Sequence, residues 1–180
     1  MECVELDIKY PLTGSGDRSL DRLHLSDIYS DLENILFPRT GPSGDMNNPL
    51  WAEVGFLWER VLGTALKEHI GQRPGEVELD GIVGSPDGYD PAIGVLYEYK
   101  CTWKSAKNAH PEKIWKWMTQ VKGYCKMLGV NTVQFHTLYV VGDYRGSGPI
   151  YKSYLMVFSD REIEENWAML INHAKSKGWL

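Results

Sequence analysis

Residues 76–104 read EVELDGIVGSPDGYDPAIGVLYEYKCTWK, and the fold is decided there. Val, Ile, Leu and Tyr crowd two runs, Val77–Gly84 and Ile93–Cys101. The stretch between them holds Pro86, Asp87, Gly88, Asp90 and Pro91. Apolar β-type runs punctuated by Gly and Pro predict two strands joined by a turn-rich connection. Asp87 lies at the exit of the first run, and Glu98 and Lys100 lie in the second, two residues apart. Side chains alternate across a strand, so Glu98 and Lys100 project from one face and a hairpin can bring Asp87 beside them. Two carboxylates and one lysine on a single sheet face suit a hard divalent cation and an activated water. The plainer reading of the same residues is a surface strand with a solvated ion pair. Asp80 competes with Asp87: it also lies in the first run, eighteen residues before Glu98 against eleven for Asp87.

Outward from this stretch, the periodicity changes from two to 3.6. Leu25, Ile28, Leu32 and Ile35/Leu36 form an apolar stripe that predicts a helix over Leu25–Leu36, closed by Pro38. Residues 38–49 are dense in turn formers and predict a loop. A longer helix is predicted over Pro49–Ile70, with Asn48 as N-cap, Pro49 at the first position and Gly71 as the stop. Its stripe of Val54, Leu57, Trp58, Val61, Leu62, Ala65 and Leu66 predicts packing on the sheet. Glu53 and Glu59 stand at opposite edges of that stripe, and helix geometry does not choose between them.

Beyond the hairpin a polar connection, Thr102–Pro111, precedes a helix predicted from Glu112 to Leu128, where Gln120 and Tyr124 are neighbours one turn apart. Two further β-type runs, Thr132–Val141 and Ile150–Ser159, are followed by an amphipathic helix from Asp160 to about Lys177, with Ser159 and Glu162 as a capping-box pair. Residues 1–20 show no sustained periodicity and read as an extended lead-in.

The string Ser85-Pro86-Asp87-Gly88 followed by Glu98-Tyr99-Lys100 resembles the PD-(D/E)XK nuclease motif, in its phage lambda exonuclease (YqaJ-like, RecB-related) branch. Three companions carry the likeness further. Gly55-Phe-Leu-Trp-Glu59 resembles the Gly-x-x-x-Glu motif and selects Glu59 over Glu53. The Pro before Asp87 selects Asp87 over Asp80. Gln120-Val-Lys-Gly-Tyr124 resembles the Q-x-x-x-Y motif and falls in the first helix after the Glu-x-Lys strand. The motifs cover residues 55–124 in the family's order.

The resemblance implies an α/β (α+β) restriction-endonuclease-like core, a central mixed sheet of about four strands flanked by helices. It implies one nuclease domain over residues 1–180, with 1–48 as a lead-in helix and loop. It further implies a Mg²⁺-dependent deoxyribonuclease, with Mn²⁺ able to substitute. Asp87, Glu98 and the backbone carbonyl of Tyr99 would be metal ligands, and Glu59 would act through a water or a second ion. Lys100, Gln120 and Glu59 would be catalytic, and Tyr124 would support them. Exonuclease action on DNA ends is the first expectation. An endonuclease of the same superfamily and a non-catalytic DNA-binding module are the alternatives. A homo-oligomer and a phage single-strand annealing or recombination protein are the implied protein partners, and the host cytoplasm the implied location.

Composition narrows the classes. The chain has 180 residues, 43% hydrophobic and 24% charged, with a net charge of -5, which excludes a general basic coat but permits a local basic cleft. Residues 100–126 hold seven lysines against the single acid Glu112. Lys104 and Lys107, just past the Glu-x-Lys strand, are the phosphate candidates, and Trp103 is the candidate for base stacking. Lys113, Lys116 and Lys126 read as a solvated helix face. Arg22 and Ser26, near the first helix, are carried over from the resemblance as candidates for a terminal phosphate. Cys3, Cys101 and Cys125 are too few and too scattered for a disulfide framework, a zinc site or an iron–sulfur cluster. No apolar run is long enough for a membrane span, and no signal peptide is visible.

Overall fold

The computed structural model describes residues 21–38, 53–55, 57–58, 60–61, 64, 72–146 and 148–180. Its centre is β5 (Val95–Thr102), which pairs antiparallel with β4 (Gly88–Asp90) on one side and parallel with β6 (Thr132–Tyr139) on the other. β7 (Ile150–Val157) completes a four-stranded mixed sheet in the order β4-β5-β6-β7. A parallel pair needs a crossover, and α2 (Trp115–Leu128), entered through a 3₁₀ turn at Pro111–Lys113, supplies it between β5 and β6. Gly129 ends α2 in the left-handed conformation (φ 66°) that glycine adopts without steric cost. α3 (Asp160–Ser176) starts at the expected capping box, Ser159 with Glu162.

The first β-type run corrects the sequence reading. Val77–Gly84 is two strands, β2 (Val77–Leu79) and β3 (Ile82–Gly84), paired antiparallel around Asp80-Gly81. Both turn residues have positive φ, 52° and 78°, as a two-residue type I′ hairpin requires. β1 (Leu23–His24), unforeseen from sequence, adds to β3 in parallel and leads directly into α1 (Leu25–Leu36). The hairpin that carries Glu98 and Lys100 is therefore β4–β5, closed by residues 91–94, and Asp87 immediately precedes β4.

One face of the sheet and the three helices share the main core: Leu25 and Ile28 of α1, Leu96 of β5, Val121 and Cys125 of α2, Val133 and Phe135 of β6, and Trp167 and Leu170 of α3. Each is nearly or wholly removed from water, a gain of roughly 1.5–3 kcal/mol per large aliphatic side chain. The described positions within 53–64 are helical. Trp58 packs with Tyr97 and Tyr99 on the opposite sheet face and meets the Tyr151 ring at 6.2 Å. Val54, Leu57 and Val61 are exposed, so the predicted apolar stripe does not pack as a whole.

Candidate active site

β5 aims alternate residues in opposite directions. Leu96, Glu98, Lys100 and Thr102 face the helices, whereas Tyr97 and Tyr99 face the Trp58 side. Glu98 is fully buried at this helix-covered face, and the Lys100 ammonium bonds its Oε1. Asp87 joins them from the neighbouring segment: its Oδ2 accepts the Tyr99 backbone N–H at 2.8 Å. The Tyr89 N–H donates to the Gln72 carbonyl at 2.9 Å, which draws Arg73 into electrostatic reach of Asp87. Alternation along the strand puts Glu98 and Lys100 on one face, and Asp87 lies within electrostatic reach of Lys100 there.

Asp80 is elsewhere. It sits in the β2–β3 turn, and its Oδ2 accepts the Trp167 indole N–H at 2.8 Å. That bond fastens the turn to α3 and gives the carboxylate a structural task.

Two glycines let the helices close over the site. A Cβ on Gly84 would lie 2.8 Å from Tyr124 Cε1 and 2.7 Å from Met127 Sδ, so β3 and α2 touch through the missing side chain. A Cβ on Gly123 would lie 2.7 Å from Leu25 Cδ2, which sets α1 against α2. On α2, Gln120 Nε2 donates to the Tyr124 hydroxyl oxygen at 3.1 Å, one helical turn away. Tyr29 of α1, which sequence reasoning missed, also belongs here. It is buried, within electrostatic reach of Lys100, Glu98 and Asp87, and it carries the Lys116 ammonium 5.4 Å from its ring centroid. Its spacing, four residues after Leu25 and beside Ile28, was the available signal.

Burial and charge set the protonation states. Burial pushes the Asp87 carboxyl above its ordinary range, against the pull of Lys100, the Tyr99 N–H and Arg73. Burial also works against the Lys100 ammonium, but Glu98 and Asp87 outweigh it and hold the amine above its ordinary value. Burial raises the Tyr29 phenol to about 12, with Lys100 opposing and Glu98 and Asp87 adding to the rise. Burial, then Glu98, lifts the Tyr124 phenol well above 10. Lysine and both phenols are therefore proton-bearing donors around two carboxylates.

The other predicted residues are spread around this centre. Arg22 bonds Glu78 and lies 3.5 Å from Glu76, and Ser26 is partly buried in the first turn of α1. Trp103, Lys104 and Lys107 lie on the loop leaving β5. Glu59 is outside the described residues. Among the described residues no group of three or more His, Cys, Asp or Glu could hold a metal ion, and the carboxylates of this cluster are the pair Asp87 and Glu98. That pair fits Mg²⁺, which uses one or two carboxylates and keeps several waters. No helix among the described residues is long and apolar enough to cross a membrane.

The four-stranded mixed sheet with its flanking helices is a fold shared with solved exonuclease structures. The chain is similar to a phage-related exonuclease from Haemophilus somnus 129PT, with a TM-score of 0.54 at 16% identity over 84% of this chain and 79% of that one. It is also similar to an alkaline exonuclease from Laribacter hongkongensis, with a TM-score of 0.58 at 15% identity over 86% and 87%. The latter enzyme in complex with dAMP matches at a TM-score of 0.51, over the same shares. No family model matches the sequence, and no curated protein does.

Proposed function

We propose that the chain is a divalent-metal-dependent deoxyribonuclease that hydrolyses DNA phosphodiester bonds and acts on DNA ends. One observation carries this reading: Asp87, Glu98 and Lys100 converge at one buried sheet face. The exonuclease identity of the similar structures supports it.

Asp87, Glu98 and the Tyr99 carbonyl would hold Mg²⁺, or Mn²⁺ on the same oxygens. A bound divalent cation neutralises charge developing on the phosphate and lowers the pKa of its water. The remaining work falls to this chain's own groups. Lys100, whose amine Glu98 and Asp87 hold above its ordinary value, would donate to a phosphate oxygen and orient the attacking water. Gln120 fixes the Tyr124 hydroxyl on the α2 side of the site. Tyr29 offers a second phenolic donor from α1. Lys104 and Lys107 extend the cationic surface along the strand's exit, and Glu59 is retained as the candidate for a metal-bound water or a second ion. A homo-oligomer, a phage single-strand annealing or recombination protein as partner, and a host-cytoplasmic location complete the reading.

Digestion of end-labelled linear duplex beside a covalently closed circle of the same sequence, with Mg²⁺, Mn²⁺ or EDTA, tests it. Loss of the linear form only, abolished by EDTA, is the expected result. Cutting of the circle would replace the exonuclease with an endonuclease, and no cleavage of either would remove the nuclease reading.

A further inference from the structure

Several basic side chains of the described residues, Lys100, Lys116, Lys122, Lys126, Lys177, Arg22 and Arg161, lie within salt-bridge distance of a carboxylate. Lys104, Lys107 and Arg145 are in no salt bridge among the described residues, and neither are Arg60, Lys113, Lys152 and Lys175. Of these, Lys104, Lys107 and Arg145 come together on the loops 103–110 and 140–146, which leave the C-terminal ends of the parallel strands β5 and β6.

The two loops are joined into one surface. The Val140 N–H donates to the Thr102 carbonyl and the Ala106 N–H to the Gly142 carbonyl, both at 2.9 Å. The Tyr144 hydroxyl donates to the Trp103 carbonyl at 2.6 Å. Trp103 is 42% exposed and Tyr144 is 66% exposed. Tyr144 also has a φ of 64°, a conformation that bulky residues rarely adopt. Asp143 is the one acid of residues 140–146, and its Oδ1 accepts the Arg145 N–H at 2.9 Å. Three cations and one carboxylate therefore share these loops with two exposed aromatic residues. Trp103 follows Lys100 by three residues, so its backbone lies within about 10 Å of the candidate active site.

Cations without carboxylate partners suit phosphates, and exposed rings suit bases whose faces are uncovered. A duplex covers its base faces, so this combination selects an unpaired strand. We propose that Trp103 and Tyr144, with Lys104, Lys107 and Arg145, form a stacking platform for unpaired bases of the strand that leaves the Asp87/Glu98/Lys100 site. Trp103 was legible from the sequence, whereas Tyr144 and Arg145 are assigned by the joining of the loops. The proposal rests on the nuclease reading.

The test is binding of a fluorescein-labelled DNA strand of about 12 nucleotides to the full chain in EDTA. A second strand of equal length carries abasic sites throughout. Base-bearing strand is expected to bind about tenfold more tightly than the abasic one. Tyr144→Ala is expected to erase most of that preference, Tyr144→Phe to retain it, and Arg145→Gln to lower the salt slope by about one for both strands. Equal binding of the two strands by the unmodified chain would overturn the platform, as would an unchanged preference in Tyr144→Ala. Cleavage of linear duplex with Mg²⁺, measured on the same preparation, separates the two readings. Cleavage without base preference removes the platform alone, and base preference without cleavage removes the nuclease alone.

Discussion

The Tyr99 backbone N–H donates to Asp87 Oδ2 at 2.8 Å, so the strand that bears Glu98 and Lys100 also anchors the second acid. Tyr99 points its ring to the far side of the sheet and contributes only backbone to the site. Any ring that fills the Trp58-side space should therefore serve. Tyr99→Phe is expected to leave metal-dependent cleavage within about twofold of the unmodified chain and to preserve or raise stability. Its hydroxyl is buried without a hydrogen-bond partner among the described residues, and removing such a group is neutral or favourable. Parallel cleavage assays and urea unfolding of the two proteins check both expectations.

Lys100 neutralises the fully buried Glu98. Removing one partner of a buried ion pair leaves an uncompensated charge, at a cost of about 3–5 kcal/mol. The Lys100 side chain retains 20% exposure, which reduces the expectation for Lys100→Met to about 2–4 kcal/mol. Urea unfolding in EDTA measures this. Addition of Mg²⁺ is expected to recover part of the loss without recovering cleavage, because it restores positive charge but not the amine donor.

Gly84 admits the Tyr124 ring and Met127 against β3. Gly84→Ala is expected to lower stability by about 1–3 kcal/mol, the cost of overpacking a filled core. Because the ring that must yield accepts the Gln120 amide, cleavage should fall more than stability at saturating Mg²⁺. Urea unfolding and initial rates of cleavage give the two numbers.

His136 lies on the Trp58 side, stacked between Tyr97 and Tyr151, and its Nδ1 is 2.5 Å from the Tyr151 hydroxyl. Burial lowers its pKa from 6.5 to about 4. Between those values the unfolded chain binds the proton and the folded chain does not, so stability is lost as the pH falls from about 6.5 toward 4. The full loss is on the order of 3 kcal/mol. His136→Phe, which keeps an aromatic ring between the tyrosines, is expected to flatten the dependence in that window. Urea midpoints at pH 7 and pH 5 are the measurement.

The legible parts of this chain were the local ones. Glu98 and Lys100 share a face because they are two apart on a strand, and Gln120 reaches Tyr124 because they are four apart on a helix. The Ser159 capping box and the strands β5, β6 and β7 followed from equally short-range patterns, whereas β4 fell within the stretch read as a turn. Asp80-Gly81 was misread because Val77–Gly84 looks like one apolar run, although Asp-Gly is itself a hairpin signal. A two-residue strand such as β1 has too little sequence to show a period. Arg22 meets Glu76 and Glu78 across more than fifty residues, and Tyr144 reaches Trp103 across 41. No window of sequence contains either pair.

The central claim is that Asp87 and Glu98 are ligands of the cation that supports DNA cleavage. The most direct measurement compares Mg²⁺-dependent cleavage of linear duplex by Glu98→Gln and Asp87→Asn with that of the unmodified chain, alongside duplex binding in EDTA. A fall of about a hundredfold or more in cleavage by each variant, with duplex binding retained, is the expected result. Cleavage by either variant at the unmodified rate would contradict it.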